Sequence, residues 1–302
     1  MFNQRDSMDE VQQVSFCKKE AGGGDFECLR LSEVAERAKG LEFNIEEPHQ
    51  VFFFHVIFIS QGSGRHFVDF QPYEFREGSL IFVSSGQVHA FEFRPDIEAW
   101  VLIFTEDFIS KNVASADGLA LSRLYNSHLE IPVIHPNAVG IEVFRKLVGE
   151  IRNEFGYAEN FAKEEVLSLL MKVLLLKAER IKRTLLPERV SPEHFAKFEE
   201  FRLLLDDGVR ESRQAEEFAT RLGVSYKHLN EICKSVCGQT AKVFLDSYLT
   251  LQLKRRLAIS EVSVKELAYE YGFDEPTNFV KFFKKQVGES PAQFRAGLRS
   301  GS

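Results

Sequence analysis

The sequence has no apolar run long enough to cross a bilayer as a helix. Such a span needs about 18 residues, and the longest apolar cluster, "VFFFHVIFI" at 51–59, is far shorter and includes His55. The opening "MFNQRDSMDEVQQ" lacks the apolar stretch of a signal peptide, which points to a cytoplasmic protein with no membrane partner. Cysteine is scarce. Cys17, Cys28, Cys233 and Cys237 do not fall at metal-ligand spacings, and they read as small packing residues in a reducing compartment. Positive charge is in deficit, with 38 Lys+Arg against 45 Asp+Glu and a net charge of -7. Charge averaged over the whole chain therefore gives no reason to expect a polyanionic partner.

What the chain does have is division. Its 302 residues are enough for two domains, and 44% apolar with 27% charged residues describes a globular protein. Residues 1–194 carry 21 Lys+Arg against 30 Asp+Glu, a net of -9, while residues 195–302 carry 17 against 15, a net of +2. From Ser225 onward the count is 12 against 8, a net of +4.

The rhythm changes with the charge. From Glu46 to about Phe108, short β-rich runs alternate with turn residues such as Gly62, Gly78, Gly86 and Pro72, the pattern of a sandwich or barrel. After Pro136, two stretches with apolar residues three and four apart predict an antiparallel helix pair over 139–183. Pro187 and Pro192 mark a linker, and everything after it reads as helix. The organisation expected is a β-barrel with a helical hairpin over 1–185, a linker at 186–192 and an all-α domain over 193–302.

One unit occurs twice in the last part: "AEEFATRLGVSYKHLNEICKSVCG" at 215–238 and "VKELAYEYGFDEPTNFVKFFKKQVG" at 264–288. Each is a short helix, a Gly turn (Gly223, Gly272), a polar helix start, and a longer helix ending at Gly (Gly238, Gly288). Ser225 and Asp274 are the expected N-caps of the longer helices, and Ser263 with Glu266 forms a capping box. This is a helix-turn-helix, present in two copies 49 residues apart and joined by a helix from Ala241 to about Ile259.

With its "GF" turn and its "GESPAQFR" ending, the duplicated unit resembles the AraC/XylS family of bacterial transcription regulators. The matching residues are Ala219, Gly223, Ser225, Leu229 and Gly238, then Ala268, Gly272, Phe273, Phe279, Phe283, Lys284, Gly288, Ser290, Pro291 and Arg295. Tyr248, Gln252 and Leu253 in the joining helix depart from the pattern. The resemblance implies a DNA-binding regulator, not an enzyme, that senses a small organic effector in a cupin-like barrel. It also implies pairing of chains through the helical hairpin and RNA polymerase as a further partner.

The barrel carries a remnant of the cupin motifs. Gly78, Gly86 and His89 match the second motif, with Ser84 and Phe93 in place of its Pro and Asn. His49, Val51, His55 and Gly62 fall on the first. Three of the four positions that hold a metal in metal-binding cupins are thus His49, His55 and His89. The reading adopted is that no metal or other cofactor is bound. Strand alternation and the cupin likeness instead put His49, Val51, Phe53, His55, His89 and Phe91 around an effector.

In the longer helices, a 100° step separates an inner from an outer face. Phe279, Phe282 and Phe283 turn inward, while Thr277, Lys281 and Lys284 turn outward with Asn278 and Lys285 beside them. In the first copy, Lys227, Asn230, Glu231 and Lys234 turn outward. Such helices fit the major groove of double-stranded DNA. Near the helix start, Thr277, Asn278 and Lys281 are in position to read bases, and Lys284 and Lys285 suit phosphates. A joining helix of about 19 residues spans roughly 28 Å, near the repeat of about 34 Å between successive major-groove faces. Two other classes compete with this reading. One is a metal-dependent cupin enzyme fused to DNA-binding units, although no acid–base carboxylate accompanies the histidines. The other is an interaction protein whose helices have given up DNA.

Overall fold

The structure, a computed structural model, describes residues 13–14, 25–40, 44–91, 94, 96–105, 107–108, 124, 131–157, 161–185 and 190–300. Cys17, Phe93 and residues 186–189 of the expected linker lie outside these. One compact unit falls within residues 12–186 and a second within 187–302.

The first unit is built on two five-stranded sheets. Its strands are β1 (Gln13–Val14), β2 (Phe26–Arg30), β3 (His49–Val51), β4 (Phe54–Gln61), β5 (Ser63–Val68), β6 (Gln71–Arg76), β7 (Leu80–Val83), β8 (Val88–Phe91), β9 (Glu98–Phe104) and β10 (Val133–Ile134). One sheet runs β1-β3-β8-β5-β6 and the other β10-β7-β4-β9-β2. A helix, α1 (Leu31–Gly40), follows β2.

The apolar run at 51–59 is continuous because β4 is buried on both faces. Ile57 and Ile59 join Val51, Val68, Phe91, Ile81, Val83, Val101 and Ile103 in the core between the sheets. Val56 and Phe58 point the other way. With Phe82, Leu102 and Phe104 they pack beneath α2 (Ala138–Gly156) and α3 (Lys163–Leu185), against Phe144, Val148, Ile151, Leu167, Met171 and Leu174. The run is nevertheless two strands and not one. The chain leaves the first sheet after Val51 and enters the second at Phe54, with Phe52 turned to solvent at the crossover.

The second unit is helical: α4 (Pro192–Gly208), α5 (Ala215–Arg221), α6 (Tyr226–Cys237), α7 (Ala241–Ile259), α8 (Val264–Glu270), α9 (Pro276–Val287) and α10 (Pro291–Ser300). Helix α7 is its axle. Phe244, Leu245, Tyr248, Leu249, Leu253 and Leu257 are buried on it, spread over most of its circumference. Phe244 packs edge-on against Phe198 of α4 at 4.8 Å, and Phe201 packs on Phe218 of α5 at 6.0 Å. Tyr248, which departs from the family pattern, is buried and donates its hydroxyl to Asp206 of α4. Around the other end, Phe273, Phe279, Phe283 and Phe294 form a chain of rings 5.3–6.0 Å apart. Each such ring contributes about 1.5–3 kcal/mol by leaving water.

Candidate functional site

Both helix-turn-helix units form as the sequence predicts, on α5–α6 and α8–α9. The turn glycines, Gly223 and Gly272, sit at φ 68° and 67°, a left-handed conformation that a side chain would strain. Ser225 caps α6 by accepting from the His228 amide at 3.1 Å. Ser263 and Glu266 complete the capping box at 3.1 and 2.9 Å. The cap of α9 differs from expectation. It is Glu275, not Asp274, and its side chain does not cap the backbone. Pro276 at the first helical position, which has no N–H to satisfy, moves the boundary one residue on.

On α9, Phe279 and Phe283 are fully buried, and Phe282, partly buried, leans on Phe273 at 5.6 Å. Thr277, Asn278, Lys281, Lys284 and Lys285 are all exposed. The Thr277 hydroxyl donates to the Glu275 carboxylate at 3.2 Å. On α6, Leu229, Ile232 and Cys233 are buried, while Lys227, Glu231 and Lys234 are exposed.

Asn230 departs from the outward role expected of it. It is half-buried, its amide donates to the Tyr226 carbonyl at 3.1 Å, and its carbonyl accepts from the Ala241 amide at 3.0 Å. Both ends of the side chain are engaged in tying α6 to the start of α7. A neighbour that the helical pattern left unmarked is His228. It faces Glu231 at 3.3 Å and packs near His194, whose ring meets Ser235 at 2.9 Å.

In the barrel, His49, Val51, Phe53, His55, His89 and Phe91 all turn into the core between the sheets. His49 stands opposite His89 in the β3–β8 register, and His55 lies in register with Val83 and Ile103. Phe53 stacks on His55 at 4.7 Å, and the His49 and His89 rings are 4.2 Å apart. The structure adds a fourth ring that sequence reasoning missed. His66 of β5 meets His89 at 3.3 Å, Nε2 to Nδ1, and Phe91 at 4.7 Å. Period-2 alternation in "GRHFVDF" puts His66 and Val68 on one face, but only the β5–β8 pairing shows that this face meets His89.

Burial is the main cause of depressed basicity in all four imidazoles. It takes His49 down to about 4, partly offset by the Glu47 carbonyl that its Nδ1 faces at 2.9 Å. It takes His55 and His66 down to about 3, with neighbouring imidazoles adding repulsion, and holds His89 well below the ordinary 6.5. The cluster is therefore neutral near pH 7. A carbonyl only accepts, so His49 carries its proton on Nδ1 and presents Nε2 as an acceptor. In the His66–His89 pair one ring donates to the other. Either way, the two outer nitrogens, Nδ1 of His66 and Nε2 of His89, are one donor and one acceptor. Neither has a hydrogen-bond partner among the described residues. Among those residues no group of three or more His, Cys, Asp or Glu is arranged to hold a metal ion.

Helix α3 carries a second apolar stripe besides the one it buries. Val166, Leu169, Val173 and Leu176 are exposed at spacings of three, four and three residues. No helix among the described residues is long and apolar enough to cross a membrane.

Comparison with known proteins adds three findings. Residues 31–121 match an AraC-like ligand binding domain, and residues 218–297 match a helix-turn-helix domain. The chain is 24% identical to the HTH-type transcriptional activator RhaS of Salmonella arizonae over 254 residues, covering 82% of this chain and 87% of that protein. It is 22% identical to RhaS of Citrobacter koseri over the same shares. Among solved structures, ToxT from Vibrio cholerae O395 covers 91% of this chain and 98% of its own, at 15% identity and a TM-score of 0.42.

Proposed function

Because the chain is an AraC-family DNA-binding regulator with an N-terminal ligand-binding domain, we propose that α6 and α9 read successive major grooves of one duplex under control of an organic effector in the barrel. The observation that carries this is the pair of helix-turn-helix units on a single 19-residue axle, each with its charged face exposed and its apolar face buried. Lys281, with Thr277 and Asn278, contacts bases. Lys227, Lys234, Lys284 and Lys285 contact phosphates. Glu231 either accepts from a cytosine amino group or weakens phosphate binding. Asn230 supports the interface from behind.

The effector sits among His49, Val51, Phe53, His55, His89 and Phe91, with His66 as a seventh contact. Its body is apolar, and its polar group is neutral and both donates and accepts, because that is what the His66–His89 pair leaves open. Two chains pair through the exposed stripe of α3. Its 3-4-3 spacing is that of a coiled-coil seam, which a second copy of the same helix fits. The relatives' description as activators supports RNA polymerase as the partner through which binding acts. The protein works in the cytoplasm, where its DNA is.

The test is a mobility shift with the DNA upstream of its own gene, using the full chain and the Lys281→Ala and Lys284→Ala variants. A specific shift by the wild type that both variants weaken is expected. Equal binding by folded wild type and variants, on this DNA and on random DNA, would overturn the assignment.

A further inference from the structure

Two recognition helices on one duplex need a fixed separation, and a single helix fixes it poorly. Helix α7 sets how far apart the two units lie along its axis. A lone rod joined to each unit still permits rotation about that axis. The structure contains a second connection, away from α7, between the same two units.

It is the short segment 209–214 between α4 and α5. Arg213 lies over the Phe273 ring, its guanidinium carbon 4.0 Å from the ring centroid, and donates to the Gly272 carbonyl at 3.0 Å. Arg210 lies over the Tyr271 ring at 5.3 Å and pairs with Glu270 at 3.6 Å. The backbone closes in as well: a Cβ on Gly272 would meet the Arg210 carbonyl oxygen at 2.8 Å. The segment that leads into the first helix-turn-helix thus grips residues 270 to 273, the end of α8 and the turn of the second.

Both ends of the grip are themselves anchored to the axle. The Arg213 carbonyl accepts from Lys242 of α7 at 3.1 Å, and Lys242 pairs with Asp246 one turn on. At the other end, Glu270 accepts from Arg256 of α7, both oxygens at 3.3 Å. Tyr271 and Phe273, on which the two arginines rest, are themselves buried in the second unit. The segment, the axle and the turn of the second unit form a closed frame. Rotating one recognition helix against the other breaks the stacking on Phe273 and the bond to Gly272 together.

We propose that Arg210 and Arg213 are positioning residues that lock the phase between α6 and α9, so that the protein selects operators by the number of base pairs between its two reading sites. Neither residue belongs to the outward faces assigned to DNA. They act through the angle at which those faces are presented. One inserted base pair moves the second groove by about 3.4 Å and turns it by about 34°. A locked frame cannot follow this, whereas a frame held by α7 alone can.

The experiment is a spacing scan with the full-length chain. A duplex of about 30 base pairs is selected by the wild type from a randomised pool, and versions are made with one base pair inserted or deleted between the two contacted grooves. The readout is the ratio of affinities for original and respaced duplexes, which is insensitive to the fraction of folded protein. The wild type should lose roughly 10–100-fold on respacing, the scale of losing one or two base contacts. The Arg210→Ala/Arg213→Ala variant should bind the original duplex several-fold more weakly but lose less than about threefold on respacing. If the double variant folds poorly, Arg213→Gln keeps the stem and one donor while removing the cation, and should give an intermediate ratio. A variant that shows the wild-type ratio, or a wild type that shows no spacing preference, would overturn the proposal. In this experiment the DNA-binding reading itself fails if the wild type selects no duplex at all, an outcome distinct from the loss of spacing preference.

Discussion

Acid should unfold the barrel. Four imidazoles are buried in its core, and three have folded pKa values of about 4, 3 and 3 against an ordinary 6.5. Below pH 6.5 the unfolded chain takes up protons at these positions, and the folded chain does not until the pH nears 4 or 3. The unfolded state therefore binds more protons throughout that window, and stability falls as the pH falls. Each unmatched proton tilts the balance by 1.36 kcal/mol per pH unit, so between pH 7 and pH 5 each histidine removes roughly 2 kcal/mol. Three of them remove roughly 6 kcal/mol, and His89 acts in the same direction. Against a total of about 5–15 kcal/mol for a typical domain, this brings the barrel to the edge of unfolding.

Trp100, the only tryptophan, reports on this unit alone. It lies in β9 with the guanidiniums of Arg30 and Arg152 each 5.3 Å from its ring. Urea unfolding followed by its fluorescence at pH 7.5, 6.5, 5.5 and 5.0 gives the slope. With an m-value of about 2 kcal/mol/M, the midpoint should fall by roughly 3 M over that range. His55→Phe keeps a ring stacked against Phe53 and removes one titrating group, so the slope should drop by about one proton, or about 1.4 kcal/mol per pH unit. A midpoint that does not move between pH 7.5 and 5.0 would refute the reasoning.

Three further outcomes are expected. Lys281→Ala should relax discrimination at one base pair by about 1–3 kcal/mol, read from binding to duplexes carrying each base there. Lys284→Ala and Lys285→Ala should weaken binding to every sequence and lower the slope of log K against log salt by about one ion each. Leu169→Glu with Val173→Glu, in the middle of the exposed α3 stripe, should leave the barrel folded and abolish pairing in light scattering; a monomeric wild type at high concentration would remove the dimer.

How much of this was legible in the sequence depended on the range of the interactions. The helical unit was readable almost to the residue, since its signals are local: Ser225 and Ser263 as caps, the glycine turns, and phenylalanines at helical spacing. The axle ends at Ala241 and Ile259, where the pattern puts it. Its misreadings were local too. Pro276 shifted a cap by one residue, and Asn230, polar and near the outer face, proved to be tied to α7 through a contact eleven residues away. The barrel was legible as a set of strands, but their partners were not. His66 joins the histidines only through the β5–β8 pairing, and the split of the 49–61 run between two sheets depends on long-range packing that no periodicity encodes. The frame through Arg213 was invisible for the same reason, since 59 residues separate it from Gly272.

The two recognition helices are copies in architecture but unequal in charge, and this inequality bears on Glu231. The outer face of α9 carries Lys281, Lys284 and Lys285, whereas that of α6 sets Glu231 between Lys227 and Lys234. The electrostatic share of binding should therefore rest on α9, with α6 contributing less affinity and more selection. Glu231 also faces the His228 ring at 3.3 Å on the same helix. Replacing Glu231 with Gln removes the repulsion and keeps the side chain's length and its acceptor oxygen. If the carboxylate only repels phosphate, the variant should gain affinity for specific and random duplexes alike, by a factor that shrinks as salt rises. If it accepts from a cytosine amino group, random binding should rise while the preference for cytosine at that position falls by about 1–3 kcal/mol. The two outcomes separate on a single plot of affinity against salt for the selected duplex and its cytosine-substituted partner. A Glu231→Gln protein identical to wild type on both would show that this stretch of α6 does not approach the DNA, and would leave α9 as the sole reader.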